Sequence, residues 1–129
     1  MSFGIIPARY APHLLGVLRI VTSLLFVQHG TAKLFGAPHV AMFDGLKLLS
    51  LLGAAGALEI IGGMLLLVGV FTRPIAFVLA GLMAVAYFHA HFPAGLLPIL
   101  NKGELAIMYC IVFLFLAAAG PGRFALGRD

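Results

Sequence analysis

Four stretches of the sequence are apolar and long enough, as helices, to cross the hydrocarbon core of a membrane. They cover about residues 12–34, 50–71, 75–91 and 103–119. A transmembrane helix needs roughly 17 to 25 such residues, because the hydrocarbon core is about 30 Å thick. No stretch alternates with the period of two that a membrane β-barrel requires. The chain is therefore predicted to be all-α, an integral membrane bundle of four antiparallel helices in up-down order.

The composition excludes a soluble fold. Hydrophobic residues make up 63% of the 129 residues and charged residues 9%, whereas soluble domains have roughly 45–50% and about 25%. Residues 35–49, in which Pro38, His39 and Asp44 break the apolar run, are predicted to form an interfacial loop or a short surface helix. Because the sequence has no repeat or linker, residues 1–129 are predicted to be a single membrane domain embedded in lipid.

The distribution of basic residues predicts the orientation. The formal net charge is +4, and the basic residues are scattered singly, which argues against nucleic-acid binding. With alternating helices, both termini share the side that carries Arg9, Arg73, Arg123 and Arg128. The opposite side carries Lys47 and Lys102, with Lys33 at its boundary. Since cytoplasmic segments are enriched in Lys and Arg, both termini are predicted to be cytoplasmic.

Ionisable side chains interrupt the apolar segments, and in hydrocarbon such groups indicate a functional site with a partner. Alternating helices bring the polar ends of all four segments to the membrane face opposite the termini. His29 and Lys33 are four residues apart on one helix face, and Arg19 falls near the same stripe. The predicted ligand-binding set comprises Arg19, Gln28, His29, Lys33, Glu59, His89, Asn101 and Glu104.

Several of these residues also have a purely structural interpretation. Arg19 and Glu59 can form a buried ion pair that only stabilises the helices. Residues close enough to the interface to extend their polar ends toward lipid headgroups are Lys33, His39, His91 and Lys102. The sequence alone leaves both interpretations open.

Metal or haem binding is weakly supported. His89 and His91 are two residues apart and therefore point to nearly opposite sides of a helix. His29 together with one of them could bind a metal or ligate a haem, but two histidines are weak evidence, and neither group is included in the predicted site. Phe113 and Phe115, in the fourth segment, are expected to pack toward lipid.

Short motifs occur in an order and spacing typical of one family. They are Leu18-Arg19, His29-Gly30, Lys33-Leu34-Phe35-Gly36, Glu59 with Gly62-Gly63, Gly69, Thr72-Arg73, Asn101 with Glu104, and Gly120-Pro121-Gly122-Arg123. Over nearly the whole chain they resemble the DoxX family of small four-helix membrane proteins. The ending, Phe124 to Asp129, departs from the Ser-Leu-Asp type usual there. The resemblance implies an inner-membrane protein of bacteria or archaea, with some relatives being subunits of quinone-linked oxidoreductases such as thiosulfate:quinone oxidoreductase.

One hypothesis is therefore a redox-associated subunit that binds a quinone between the helices. A quinone head needs hydrogen-bonding groups at both ends of an apolar pocket. His29 and Lys33 are predicted to contact one carbonyl, and His89 or Glu104 the other. Glu59 is predicted to lie on the proton route.

Other functions remain compatible with the sequence. Cys110 is the only cysteine, so catalysis would require a partner oxidoreductase subunit or a bound cofactor, and whether the chain is itself an enzyme stays open. A second hypothesis is a structural or assembly subunit whose buried charges only stabilise the bundle. A third is a small-molecule carrier, which would have to form a homo-oligomer because four helices leave little room for an alternating-access cavity.

Overall fold

The computed structural model describes residues 3–127, and this range contains helices and connecting segments but no β-strand. Helix α1 covers Ala11–Phe35 and follows a 3₁₀ turn, Ala8–Tyr10. Helix α2 covers Leu51–Val68, and α3 covers Thr72–Ala86. After α3 come a π-helical turn, Tyr87–His91, and a 3₁₀ turn, Phe92–Ala94. The single turn α4, Pro98–Asn101, then leads to α5, Glu104–Ala119.

Within residues 3–127, three helical segments are long and apolar enough to cross a membrane. They are Ala8–Phe35, Leu51–Val68 and Thr72–Ala94, while the fourth apolar helix, Glu104–Ala119, is shorter. Large hydrophobic side chains such as Leu24, Ile61, Phe77 and Ile111 are at least half exposed. Such surfaces are stable against lipid and unfavourable in water. The all-helical membrane class predicted from the sequence is therefore confirmed.

Local sequence signals set the helix ends. Pro12 lies in the first turn of α1, where a backbone N–H is not required. The Ser50 hydroxyl accepts a hydrogen bond from the Gly53 N–H at 3.1 Å and caps α2. Helices α1 and α2 end at Gly36 (φ 66°) and Gly69 (φ 74°), left-handed conformations that glycine adopts without strain. The connection between α1 and α2, for which a loop or a surface helix was predicted, is a loop with one 3₁₀ turn, Ala41–Phe43.

Glycines allow α1 and α2 to approach closely. A Cβ atom at Gly30 would lie 2.6 Å from Ile60 Cγ1 and 2.8 Å from the Gly56 carbonyl oxygen. A Cβ atom at Gly63 would similarly lie 2.6 Å from Val27 Cγ2. Such contacts are typical of membrane helices that pack through small residues. The close approach brings polar side chains of α1 within reach of α2.

Aromatic side chains fill the space between α1 and α5. The Phe26 ring meets those of Phe113 and Tyr109 edge to face, with centroid distances of 4.9 and 5.2 Å. Phe113 is completely buried, so the expectation that it faces lipid is wrong, whereas Phe115 is 54% exposed. The reason is that Phe113 lies on the face of α5 that meets Phe26.

Candidate functional site between the helices

Lys33 on α1 and Glu59 on α2 form a buried ion pair. The Lys33 Nζ donates a hydrogen bond to Glu59 Oε1, and the two side chains are 12% and 1% exposed. Gly56 lies one turn before Glu59, and a Cβ atom there would lie 3.1 Å from the Lys33 Cβ. The missing side chain at Gly56 thus lets the backbone of α1 come close enough for Lys33 to reach the carboxylate.

The second carboxylate oxygen of Glu59 is unusual. Glu59 Oε2 is buried and has no hydrogen-bond partner among residues 3–127. A buried acceptor without a partner typically costs about 1–3 kcal/mol, so native proteins rarely leave one unpaired. Glu59 Oε2 is therefore available to accept a hydrogen bond from a ligand.

Two aromatic side chains extend the polar environment of this pair. His29, on the same face of α1 as Lys33, meets Tyr109 of α5 edge to face at a centroid distance of 5.7 Å. His29 is close enough to Lys33 to interact with it electrostatically, and Tyr109 is close enough to Glu59. We call these four residues, His29, Lys33, Glu59 and Tyr109, the Lys33–Glu59 cluster.

The loop between α1 and α2 covers one side of the Lys33–Glu59 cluster. The Lys33 Nζ lies 5.5 Å from the centroid of the Phe43 ring, a cation–π distance. Phe43 belongs to the 3₁₀ turn of the loop. His39 Nε2 and Asp44 Oδ1 are 2.8 Å apart and connect the two sides of this turn. The loop therefore supplies an aromatic wall beside the ammonium group.

Arg19 occupies a separate site. Its side chain is completely buried, and its guanidinium donates to the carbonyl oxygens of Pro121, Arg123 (3.1 Å) and Phe124 (2.8 Å). The ion pair with Glu59 considered from the sequence is not formed. The physical reason is that the segment after α5 supplies the acceptors for Arg19, while Lys33 supplies the donor for Glu59.

The C-terminal segment that binds Arg19 is also held by backbone hydrogen bonds. The Arg123 N–H donates to the Pro12 carbonyl at 3.0 Å, and the Leu126 N–H donates to the Val68 carbonyl at 2.9 Å. The segment therefore crosses the beginning of α1 and the end of α2. Arg128, one of the arginines used to predict the orientation, lies outside the described residues.

Asn101 connects the segments around α4. Its Nδ2 donates to the Tyr87 hydroxyl at 3.2 Å and to the Gly95 carbonyl at 2.9 Å, and its Oδ1 accepts from the Gly103 N–H at 2.8 Å. The His91 Nδ1 lies 3.1 Å from the Asn101 carbonyl oxygen. The polar groups of Asn101 are thus used within the protein.

The remaining predicted site residues lie on the outer surface. Gln28, His89 and Glu104 are exposed. Glu104 lines an open groove of about 440 Å³ together with Lys102. Residues 3–127 contain no group of three or more His, Cys, Asp or Glu side chains that could hold a metal ion.

The structure thus brings together only part of the predicted set. His29, Lys33 and Glu59 lie in one cluster, whereas Arg19 and Asn101 have other partners. Tyr109 and Phe43 were missed from the sequence. A tyrosine hydroxyl in an otherwise apolar segment could have pointed to Tyr109, but no sequence signal indicated that the loop would bring Phe43 to Lys33.

The apolar helices and the buried polar cluster define a small multi-pass helical membrane protein. The model of the DoxX family matches residues 14–92, and the chain belongs to this family. The resemblance found in the sequence motifs is therefore confirmed. An uncharacterized protein of Haemophilus influenzae is 42% identical over 123 residues, which cover 92% of this chain and 91% of the relative. No solved structure matches the chain significantly.

Proposed function

We propose that this protein is a redox-associated membrane subunit that binds a quinone, or a similar small molecule with carbonyl groups, at the Lys33–Glu59 cluster. The observation that carries the proposal is the buried Glu59 carboxylate, which uses Oε1 for Lys33 and leaves Oε2 without a partner in the described chain. An ammonium group has three donors. Lys33 can therefore donate to Glu59 and to a ligand carbonyl together.

The cluster offers complementary groups to both redox forms of a quinone. A quinone carbonyl accepts a hydrogen bond, for which Lys33 and His29 are suitable donors. A quinol hydroxyl donates one, for which Glu59 Oε2 is a suitable acceptor. Glu59 is thus proposed to exchange a proton with the ligand oxygen, and Tyr109 and Phe43 to form the aromatic walls around the ring. His89 and Glu104, exposed on the outer surface, are left outside this proposed site.

Electron transfer requires a second component in this proposal. Reduction of a quinone to a quinol takes two electrons and two protons, and the chain has a single cysteine, Cys110. The electrons are therefore proposed to come from or pass to a partner oxidoreductase subunit. The residues of this chain bind the ligand, orient it and handle its protons.

We also propose the antiparallel four-helix arrangement, with all four long helices crossing the membrane. The order of contacts supports it in both helix pairs. Between α1 and α2, Leu34 lies near Gly56 and Val27 near Gly63. Between α3 and α5, Tyr87 lies near Gly103 and Arg73 near Gly120. In each pair, residue numbers increase along one helix as they decrease along the other, as expected for antiparallel helices.

The proposed location is the inner membrane of a bacterium or archaeon, with both termini in the cytoplasm. Arg9, Arg73 and Arg123 are exposed, and Arg123 is hydrogen-bonded to the start of α1. Clustered arginines at one end are typical of the cytoplasmic side. A cysteine-labelling assay on variants with a single added cysteine at either end would test this orientation.

A structural or assembly subunit is the second candidate. The observation that favours it is Arg19, which is fully buried and bound by carbonyls of the protein's own C-terminal segment. A group in that position stabilises the fold and contacts no ligand. In this alternative the Lys33–Glu59 pair has the same purely structural role, and the exposed apolar faces contact a partner or another copy.

Mass spectrometry of the intact protein from native membranes, with analysis of its lipid extract, distinguishes the two candidates. The quinone proposal predicts co-purified quinone in the wild type and much less in the Lys33→Met/Glu59→Gln variant, which removes both charges together. Gln28→Ala, at an exposed position of the same helix, is the control and should retain the quinone. Equal quinone content in all three proteins would contradict the proposal and favour the structural subunit.

A further inference from the structure

An open groove lies between the first half of α1 and the last half of α5. Its volume is about 580 Å³, and its walls are apolar, formed by residues that include Pro12, Leu14, Leu18, Phe115, Ala119 and Gly122. From Pro12 to Leu18 the groove follows α1 for about 9 Å, at 1.5 Å per residue. A groove of this kind on a membrane-spanning helix pair is a suitable surface for an acyl chain.

Three arginines lie at the end of the molecule where this groove begins. Arg9 lies in the 3₁₀ turn that leads into α1. Arg123 donates its backbone N–H to the Pro12 carbonyl at 3.0 Å. The Arg73 side chain lies beside Gly120, where an added Cβ atom would be 3.2 Å from the guanidinium. The same end of the molecule therefore combines an apolar groove with three exposed guanidinium groups.

The positive charge at this end is not balanced within the described chain. The acidic residues of the range 3–127 are Asp44, which pairs with His39, Glu59, which pairs with Lys33, and Glu104, which lies beside Lys102 in another groove. None of the three arginines forms an ion pair with a carboxylate in that range. An anion from outside the chain would therefore be attracted to this end.

We propose that this groove is a binding site for an anionic phospholipid, with one acyl chain in the groove and the headgroup phosphate among the arginines. Guanidinium groups form strong bidentate hydrogen bonds with phosphate, and basic pockets between membrane helices are suited to anionic headgroups. A second copy of the chain is a poorer occupant, because symmetric contact would bring six arginines together. The proposal is independent of quinone binding, since it involves the other end of α1.

Native mass spectrometry of the full-length protein in mixed micelles tests this site. The probes are phosphatidylglycerol and phosphatidylcholine with identical acyl chains. The wild type should bind phosphatidylglycerol at least about tenfold more tightly than phosphatidylcholine. The Arg9→Gln/Arg123→Gln variant should lose most of this preference. Lys47→Gln/Lys102→Gln removes the same charge from other exposed positions and should keep it.

Two further measurements distinguish binding of the acyl chain from binding of the phosphate headgroup alone. Leu14→Trp, which fills the groove, should weaken phosphatidylglycerol binding while the arginines remain intact. Glycerol 3-phosphate, which has the headgroup charge but no acyl chain, should fail to compete. Equal affinity for the two lipids, or an equal loss in both double variants, would overturn the proposal. Dimers that form through the groove and are absent in Leu14→Trp would also overturn the proposal.

Discussion

Lys33 and Glu59 neutralise each other between α1 and α2, and the pair uses only one of the two Glu59 carboxylate oxygens. In hydrocarbon either charge alone would be strongly unfavourable. The position of the pair is set by small residues, because Gly30 and Gly56 let the two helix backbones approach. Helix packing and the candidate site therefore have the same structural basis.

The first prediction concerns the energy of this ion pair. Lys33→Met leaves the Glu59 carboxylate without its cation and should lower the free energy of unfolding by about 3–5 kcal/mol. The Lys33→Met/Glu59→Gln variant removes both charges and should recover a large part of that loss. Unfolding titrations in mixed micelles measure both values. Glu59→Gln alone completes the cycle, and if the effects of Lys33→Met and Glu59→Gln simply add in the double variant, the pair is not coupled.

The second prediction concerns Arg19 and the C-terminal segment. Arg19 reaches its carbonyls with two separate nitrogens, Nη1 and Nη2, and the single nitrogen of a lysine cannot reproduce this planar fork, so Arg19→Lys should destabilise the protein by at least about 2 kcal/mol. Hydrogen exchange at the amides of Leu126 and Gly127 should become faster. Arg9→Lys, at an exposed position, is the control. Unchanged protection of these amides in Arg19→Lys would show that the contacts do not hold the segment.

The third prediction concerns the close approach of α1 and α2. Gly30→Ala places a methyl group against Ile60 and the Gly56 carbonyl, and it should destabilise the protein by about 1–3 kcal/mol. Gly81→Ala is the matched control on α3, because an added Cβ atom there meets nothing within 4 Å. It should be neutral or slightly stabilising, since alanine favours helix more than glycine does. Equal effects would contradict the packing described.

The fourth prediction separates Asn101 from the Lys33–Glu59 cluster. Asn101→Ala removes three hydrogen bonds of its side chain and should lower the free energy of unfolding by about 2–4 kcal/mol. Gln28→Ala, at an exposed position, should change it by less than about 0.5 kcal/mol. At temperatures where Asn101→Ala is folded, its quinone affinity should match that of the wild type. A large loss of affinity would place Asn101 in the ligand site after all.

The helical membrane class could be predicted from the sequence because hydrocarbon thickness fixes the length of an apolar segment. The proximity of His29 and Lys33 could also be predicted, because they are four residues apart on one helix. The partner of Glu59 could not be deduced, because Arg19 and Lys33 both lay within reach along α1. Lys33 is the partner because backbone carbonyls near the C-terminus bind Arg19 instead. Such carbonyls leave no signature in the sequence.

The burial of individual side chains was harder to predict. Placing polar residues at one membrane face does not determine the direction in which each one points, so the sequence predicts one site for exposed His89 and Glu104 together with buried Glu59. The π-helical turn after α3 changes the direction of side chains there. The Phe-rich composition of the fourth segment likewise predicts lipid contact for Phe113, because composition does not distinguish the buried face of α5.

The most direct test of the quinone proposal is the affinity of purified protein for a short-tailed quinone, measured by equilibrium dialysis in the same micelles for each variant. The wild type should bind it saturably, and Lys33→Met/Glu59→Gln should bind it at least about tenfold more weakly, because both hydrogen-bonding groups are lost. Asn101→Ala, measured while folded, should bind like the wild type. Equal affinity of the wild type and the double variant would contradict the account.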